Sequence, residues 1–585
     1  MKRFIAVLLI ALSSLMALSV TTAAQEAPSG TWLGTWPYVL PPDHHLNSFA
    51  AGGLNDNLGV VYRPLVELSP AYYLWASSEY VGILAESWGF SDDFTSYSYT
   101  LKADAKWSDG NPVTSQDVLD TYAIGKILGW SQFNYVASIE AVDAQTVKFN
   151  FIEGKASYLA ERLLLKESIV ASANYGELAA EAKTVADSGV AKDDPTWVAI
   201  SAKIAEFRPE TLIASGPYTY TLADVGDAFL TLKWQPNSLY SGTVKFGELK
   251  LWAGETESTT PLVLSGELAH STNVYPPATI DSFVNAGIRL VTTPRGYGPS
   301  LLFNYAIAPF DNVLVRRAVA HAINRDQSAF LTNGLGASGT VYFSGVLDSM
   351  TQNLLSPEGI AALNPYAFDL EGAAALMQEA GYTRNADGKW ADASGATISI
   401  EYTFPQDFAD FSAAAQDATQ QLNDFGFDIS LRALPWQDAR AAIYAGDFAL
   451  SVWSWGAGSP FAEGHFNNPT VRFNKGGLPP EGQPGIGFPL QFDFEGQAVD
   501  LVALKNNVSA GLDAEANQAK ADALAKIINT EVPYVPLNEM LSVEPLNEAT
   551  IGGAPADGDP IYANPSNDHF LIYLILNGTF FPAGQ

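Results

Sequence analysis

The 585-residue chain has no cysteine, which removes disulfides, thiolate nucleophiles, iron–sulfur clusters, cysteine-type zinc sites and a lipid-modified N-terminal cysteine together. With only six histidines, strong metal donors are few. Positive charge is scarce as well: 31 Lys and Arg stand against 63 Asp and Glu, a formal net charge of −32, and the cations form no run. Such a chain repels phosphate backbones and anionic lipid surfaces, so nucleic-acid and membrane-surface partners are excluded first. Charged residues make up only 16% of the total, below the roughly 25% usual in soluble domains. The surface is then carried by Ser, Thr, Asn, Gln, Tyr and Trp, a polarity that suits uncharged ligands. Beyond the N-terminus no stretch approaches the ~20 consecutive apolar residues of a membrane span. The N-terminus itself reads as a signal peptide: Met1-Lys2-Arg3, the apolar stretch Phe4 to Leu18, then Ser19 to Ala24 with small residues for cleavage after Ala24. A periplasmic, unlipidated mature chain without membrane insertion is expected.

The remaining composition is that of a large folded protein, with 47% hydrophobic residues and 13 Trp. Ser96 to Leu101 alternates like a strand, and Lys106-Trp107-Ser108-Asp109-Gly110-Asn111-Pro112 is turn chemistry. Thr114 and Asp117 form a capping-box pattern that predicts a helix to about Leu128. Asp194-Pro195 predicts a helix to about Phe207, with a helical neighbour over Glu177 to Asp187. Between Thr397 and Trp455, strand and helix signals alternate as βαβαβ, with stops at Gly426 and Gly446, so a parallel sheet with right-handed crossovers is expected. Trp453 and Trp455 fall at the carboxyl end of its third strand, on one face, where open α/β sheets bind ligands. Two core tryptophans are the plainer alternative, but the Gly456-Ala457-Gly458-Ser459-Pro460 loop that follows would leave their faces uncovered. Lys475 to Pro489 reads as a long surface loop.

Sequence patterns for catalysis are missing. Gly334, Gly336 and Gly339 match a glycine-rich nucleotide pattern, but they follow a helical stretch (Leu314 to Leu331) and precede a strand-like Thr340-Val341-Tyr342-Phe343, the reverse of the order such sites need. Nucleophile elbows, phosphate loops, zinc-protease helices and EF-hand loops do not occur. Asp43-His44-His45 offers adjacent histidines that point to opposite faces of an extended chain, which favours structural or hydrogen-bonding roles over a metal. Catalytic residues, metal ligands and cofactors are therefore expected to be none.

One further pattern is more specific. Leu101-Lys102 with Lys106-Trp107-Ser108-Asp109-Gly110-Asn111-Pro112-Val113-Thr114-Ser115-Gln116-Asp117 resembles the signature of the family 5 extracellular solute-binding proteins, the receptors of ABC importers for peptides, nickel and oligosaccharides. Four more matches follow in order. They are Gly216-Pro217-Tyr218 with Gln235-Pro236-Asn237, Leu302-Phe303-Asn304 with Val315 to Arg325, Phe368-Asp369-Leu370 with Glu379 to Tyr382, and Val532 to Leu537. The resemblance implies an α/β, two-lobed, hinged periplasmic binding protein of the cluster C type, with an extra subdomain in the first lobe. On this numbering the first lobe is expected at 25–293 and 540–585, the subdomain at about 66–205 and the second lobe at 294–539. It also implies permease subunits as partners, no enzymatic activity and a monomer.

Substrate choice turns on one departure. Peptide receptors of the family resemble one another in a Trp-x-Ala-Asp-Tyr segment whose Asp meets the peptide amino group; here Gly458 of Trp455-Gly456-Ala457-Gly458-Ser459 stands in its place. A buried ammonium without a partner is costly. Aromatic platforms with uncharged polar groups instead suit sugars, especially flat β-linked ones. The expected ligand is an oligosaccharide such as cellobiose or longer cello-oligosaccharides, with an oligopeptide as the alternative. Trp453, Trp455 and Ser459 are the candidate contacts on the second lobe. Opposite them, the first strand is expected to run into the cleft with Trp32, Trp36 and Tyr38 on one face, followed by Asn47; Trp252, Tyr275 and Tyr297 are candidates at lobe edges.

Overall fold

The computed structural model describes residues 26–36, 44–334, 337–468, 470–475, 477–480 and 482–584. The leader expected at 1–24 and Tyr38 lie outside the described residues.

The first lobe is built on a mixed sheet in which the strand Thr31–Thr35 pairs in parallel with Glu248–Trp252, followed by Phe229–Trp234 and Tyr218–Thr219. A second antiparallel sheet is formed by Ala85–Phe90, Ser96–Leu101, Thr146–Phe151 and Val136–Ala141. Three helices accompany it, Ser115–Ile127, Ser172–Asp187 and Pro195–Glu206. Their starts follow from sequence. Thr114 and Asp117 close a capping box, with Asp117 accepting from the Thr114 N–H at 2.7 Å, and Asp194 accepts from Thr196 N ahead of Pro195.

The second lobe has a five-stranded sheet at its centre. Strand Ser399–Pro405 pairs in parallel with Asp428–Leu434 and with Leu450–Trp455, and helices Ala409–Asp424 and Trp436–Ala445 form the crossovers. This is the expected βαβαβ unit; Gly446 ends its second helix in the left-handed conformation at φ 69°. Two details differ. The third strand runs on to Trp455, because Gly298–Phe303 pairs antiparallel along its whole length and extends it. The helical stretch expected over Leu314 to Leu331 breaks into Val313–Ala322 and Arg325–Asn333, since Asn324 caps the second helix and Gln421 holds its N–H. Residues 340–343 are not a strand. Arg325 draws the Thr340 carbonyl inward at 2.8 Å, and Phe343 takes a positive φ of 52°. The Lys475 to Pro489 segment has no helix or strand among its described residues, yet it buries Ile486 and Phe488 in the core.

A paired ribbon joins the lobes. Arg289–Pro294 runs antiparallel to Leu541–Leu546 on the first-lobe side, and Gly298–Phe303 runs antiparallel to Tyr534–Pro536 in the second-lobe sheet. Backbone bonds from Arg295 N to Met540 O and from Met540 N to Tyr297 O zip the ribbon between them. Two crossings side by side make a hinge, in which a few residues absorb the rotation of one lobe against the other.

Candidate functional site

The lobes face each other across a cleft and touch at both rims. At one rim Asn567 donates to the Gly458 carbonyl; at the other Ser157 bridges Gly511 and Lys155 donates to Asn507 Oδ1. Between these rims lies a cavity of about 330 Å³ lined by Arg295, Tyr297, Phe408, Phe411, Trp453 and Asn567 among others. It continues through a narrow chamber of about 70 Å³ at Glu255 and Asp410. Beyond is a wide mouth of about 1150 Å³ edged by Glu257, Gln406, Asp407, Gln416 and Trp436.

The aromatic wall comes from the second lobe. Trp453 is 7% exposed and leans on Phe411, Phe408 and Phe473, with ring centroids 6.1–6.4 Å apart, so its indole is fixed rather than mobile. Phe408 also stacks on Trp436 at 6.1 Å. Tyr297 adds a ring from the hinge, its hydroxyl accepting from Arg295 Nε. Rigid flat rings around a cavity of this size are what a saccharide face or an apolar side chain requires.

The other expected contacts are scattered. Trp455 is fully buried and donates to the Asn538 carbonyl at 3.0 Å, so its ring belongs to the core. The reason is tertiary: Tyr534 packs on the indole at 6.4 Å and the segment after it brings up the Asn538 carbonyl, so the ring is covered. Ser459 sits in the loop after Trp455. Its hydroxyl accepts from Phe461 N and its carbonyl takes the Nε2 proton of buried His465, whose pKa burial pushes down to about 4. Trp36 packs its ring over Gly59, where any Cβ would come within 2.2 Å. Trp32 faces the first-lobe core, not the cleft. Asn47 is completely buried and ties its amide to the carbonyls of Ile204 at 2.7 Å and Phe207 at 3.0 Å. Trp252 lies at a strand end under the Lys250 ammonium, and Tyr275 is buried with its hydroxyl on Ser271 and Thr259. Of the expected set, Tyr297 and Trp453 come together in the cleft.

Sequence reasoning did not anticipate Glu255, Arg295, Phe408, Asp410, Phe411 or Asn567. No spacing rule links them, because they are gathered from both lobes and the hinge. Burial, then the facing Asp410 and Asp407 carboxylates, push Glu255 up to about 7, with Arg295 opposing. Burial raises Asp410 as well, again against Arg295.

Away from the cleft, among the described residues, His270, Glu544 and His569 form one group with the donor set of a metal site. Its protons are already placed. Leu571 N donates to His569 Nδ1, which leaves the His569 proton on Nε2, 3.1 Å from Glu544 Oε2, and His270 Nε2 lies 2.6 Å from the same oxygen. Burial would raise Glu544, but the His569 and His270 imidazoles that face it and hydrogen-bond to it outweigh that and hold this carboxyl well below the usual range. The group is a buried hydrogen-bonded triad inside the first lobe.

Two α/β lobes joined by a paired hinge around an aromatic cleft define a hinged solute-binding protein. Residues 79–476 match the sequence profile of the bacterial extracellular solute-binding proteins, family 5, and the chain belongs to that family. A probable peptide ABC transporter periplasmic-binding protein of Sinorhizobium fredii is 24% identical over 60% of this chain and 61% of its own length. A probable D,D-dipeptide-binding periplasmic protein of Escherichia coli is 23% identical over 69% of this chain and 70% of its own. The alignment thus spans less than two thirds of the first relative. Among solved structures, the periplasmic oligopeptide-binding protein of Thermotoga maritima with mannohexaose bound superposes with a TM-score of 0.76 at 19% identity, covering 96% of this chain and 100% of that one. The oligopeptide-binding protein AppA of Bacillus subtilis, in complex with a nonapeptide, superposes with a TM-score of 0.69 at 16% identity, over 96% and 100%. Among the described residues no helix is long and apolar enough to cross a membrane.

Proposed function

We propose that the chain is the periplasmic receptor of an ABC importer and that its ligand is an oligosaccharide, β-linked and of cellobiose length or longer. Capture between the lobes would stabilise the closed form by its differential contacts, and the closed form would be the one offered to the permease. The observation that carries the sugar reading is the cleft wall: Tyr297, Phe408, Phe411 and Trp453 present fixed rings around a cavity of about 330 Å³. Stacking on C–H faces would supply affinity there, and Asn468, Asn567, Ser566 and backbone groups of the Gly456–Gly458 loop, which line the same cavity, would meet hydroxyls. The mannohexaose bound by the Thermotoga maritima protein supports the chemistry on a shared fold. Gly458 supports it too, because it leaves this loop without an acid to pair with a peptide ammonium.

Peptide capture is the second reading. It is favoured by the peptide-binding names of the sequence relatives and by Glu255, Asp410 and Arg295, which could meet peptide termini. Titration of tryptophan fluorescence with cello-oligosaccharides, manno-oligosaccharides and a mixed peptide pool separates the two. A response to peptides alone removes the sugar assignment. Hydrolysis of cellopentaose by the pure protein would remove the receptor reading itself.

A further inference from the structure

The inner end of the cleft gathers charged groups from three parts of the fold. Glu255 stands on the first lobe between Glu248–Trp252 and Thr256–Ser265, Asp410 lies in the first turn of Ala409–Asp424 in the second lobe, and Arg295 sits between the hinge strands. All three line one chamber of about 70 Å³ together with Tyr297 and Phe408. Oε1 of Glu255 is buried without a hydrogen-bond partner, and Asp410 Oδ1 accepts from the N–H of the next residue, Phe411, at 2.9 Å. Arg295 is the one cation among the described residues lining this chamber, and its guanidinium, which donates to the Tyr297 hydroxyl, shares it with two carboxylates from opposite lobes.

We infer that Glu255 and Asp410 share a proton across the closed cleft, so that lobe closure takes up a proton from solvent and opening returns it. This rests on the chain being a closing receptor but not on the identity of its ligand. Two carboxylates brought into one small chamber cannot both stay ionised without large cost, whereas in the open form each is hydrated alone. Among the described residues that face Glu255, Arg295 is the one cation. Asp407 adds a third carboxylate from the second lobe, and Glu257 lies on the mouth side. The Tyr297 and Tyr275 hydroxyls and the Asn273 amide are neutral donors.

The sign follows from Glu255. Its pKa is raised in the closed form to about 7 from an ordinary 4.5, so closure is favoured at low pH and the advantage is lost as pH rises through about 7. Between pH 5 and 8 the closed-to-open ratio should fall on the order of 50- to 100-fold, and level off above.

The chain has no cysteine of its own, so S265C/Q420C, at exposed positions on opposite lobes, accepts spin labels there alone. Pulsed EPR distances on the ligand-free protein from pH 5 to 8 should show the short interlobe distance dominant at acid pH and declining toward pH 8. E255Q should remove the slope, and D410N, a second nearly isosteric change, should reduce it. A distance distribution independent of pH, a slope that survives in both variants, or no short-distance population at pH 5 overturns the inference. A failure to bind sugars leaves the outcome intact, since no ligand is in the sample.

Discussion

Adding one methyl group at the hinge tests whether the cleft closes as the structure implies. Gly296 has φ +80°, and a Cβ there would stand 2.7 Å from Gly458 Cα and 3.0 Å from Gly458 N, both backbone atoms of the opposite lobe. G296A therefore carries two penalties that separate by state. Left-handed backbone costs about 1–2 kcal/mol for an L side chain whether the cleft is open or shut, and should appear as a lower Tm. Overlap with the Gly458 backbone exists only when the lobes meet and, as an overpacking term, costs about 1–3 kcal/mol. Closure, and any affinity that depends on it, should then weaken roughly 5- to 150-fold. G458A is the control. Its Cβ would meet Asn567 Nδ2 at 3.0 Å, the end of a side chain that can rotate away, so closure should change less than about 3-fold. The interlobe label pair reads the closed fraction directly, and thermal unfolding reads the first penalty. Equal effects from the two substitutions, or a G296A chain that loses Tm while closing normally, would refute the geometry.

Other expectations are more local. Truncating Trp453 to Ala should cost about 3–5 kcal/mol of second-lobe stability and at least tenfold in sugar affinity by calorimetry; unchanged affinity would remove this ring from the site. Asn47→Ala should cost roughly 2–3 kcal/mol, because it orphans the Ile204 and Phe207 carbonyls, and leave ligand affinity within twofold. Glu544→Gln should destabilise the first lobe by about 3–5 kcal/mol at neutral pH, since it breaks a buried partner of two imidazoles. Glu544 is depressed in the fold, so its contribution is present above the ordinary 4.5 and lost as pH falls below that toward the folded value. Urea unfolding at pH 7 and pH 3.5 should accordingly show a smaller acid loss in the variant than in the parent chain.

The motifs that carry the family resemblance turn out to hold one another. Ser108 N bonds the Ala214 carbonyl, Asn237 Nδ2 donates to Ser108 O, and Gln235 Nε2 donates to Gly216 O, so three segments from two of the motifs close a single knot of the first lobe. Gly216 is required there because a Cβ would lie 2.1 Å from the Leu65 carbonyl. In the second lobe, buried Arg316 gathers the carbonyls of Phe310, Asp311, Glu531 and Val532, and Arg325 those of Thr340, Pro365 and Tyr366. These scarce cations serve loops and helix ends inside the protein, which leaves the surface still more acidic than the composition suggests. Such residues are legible in sequence because each backbone conformation admits few alternatives, and for the same reason they report the fold and say little of the ligand.

The cleft follows a different logic. Periodicity placed Trp453 and Trp455 on one face, yet Tyr534 and Asn538 from a distant strand and loop cover the second while the first lines the cleft, and no local rule could have told them apart. His270 and His569 offered no spacing signal, because they lie far apart in the chain and meet in the fold around Glu544 on the hinge-side strand. Glu255, Arg295 and Asp410 likewise become neighbours only when both lobes and the hinge are assembled, and the pKa that makes Glu255 consequential exists only in that closed chamber. Ligand choice and its coupling to closure are thus properties of the interface between two lobes. A sequence read one element at a time displays each lobe's scaffold and leaves that interface to be found in three dimensions.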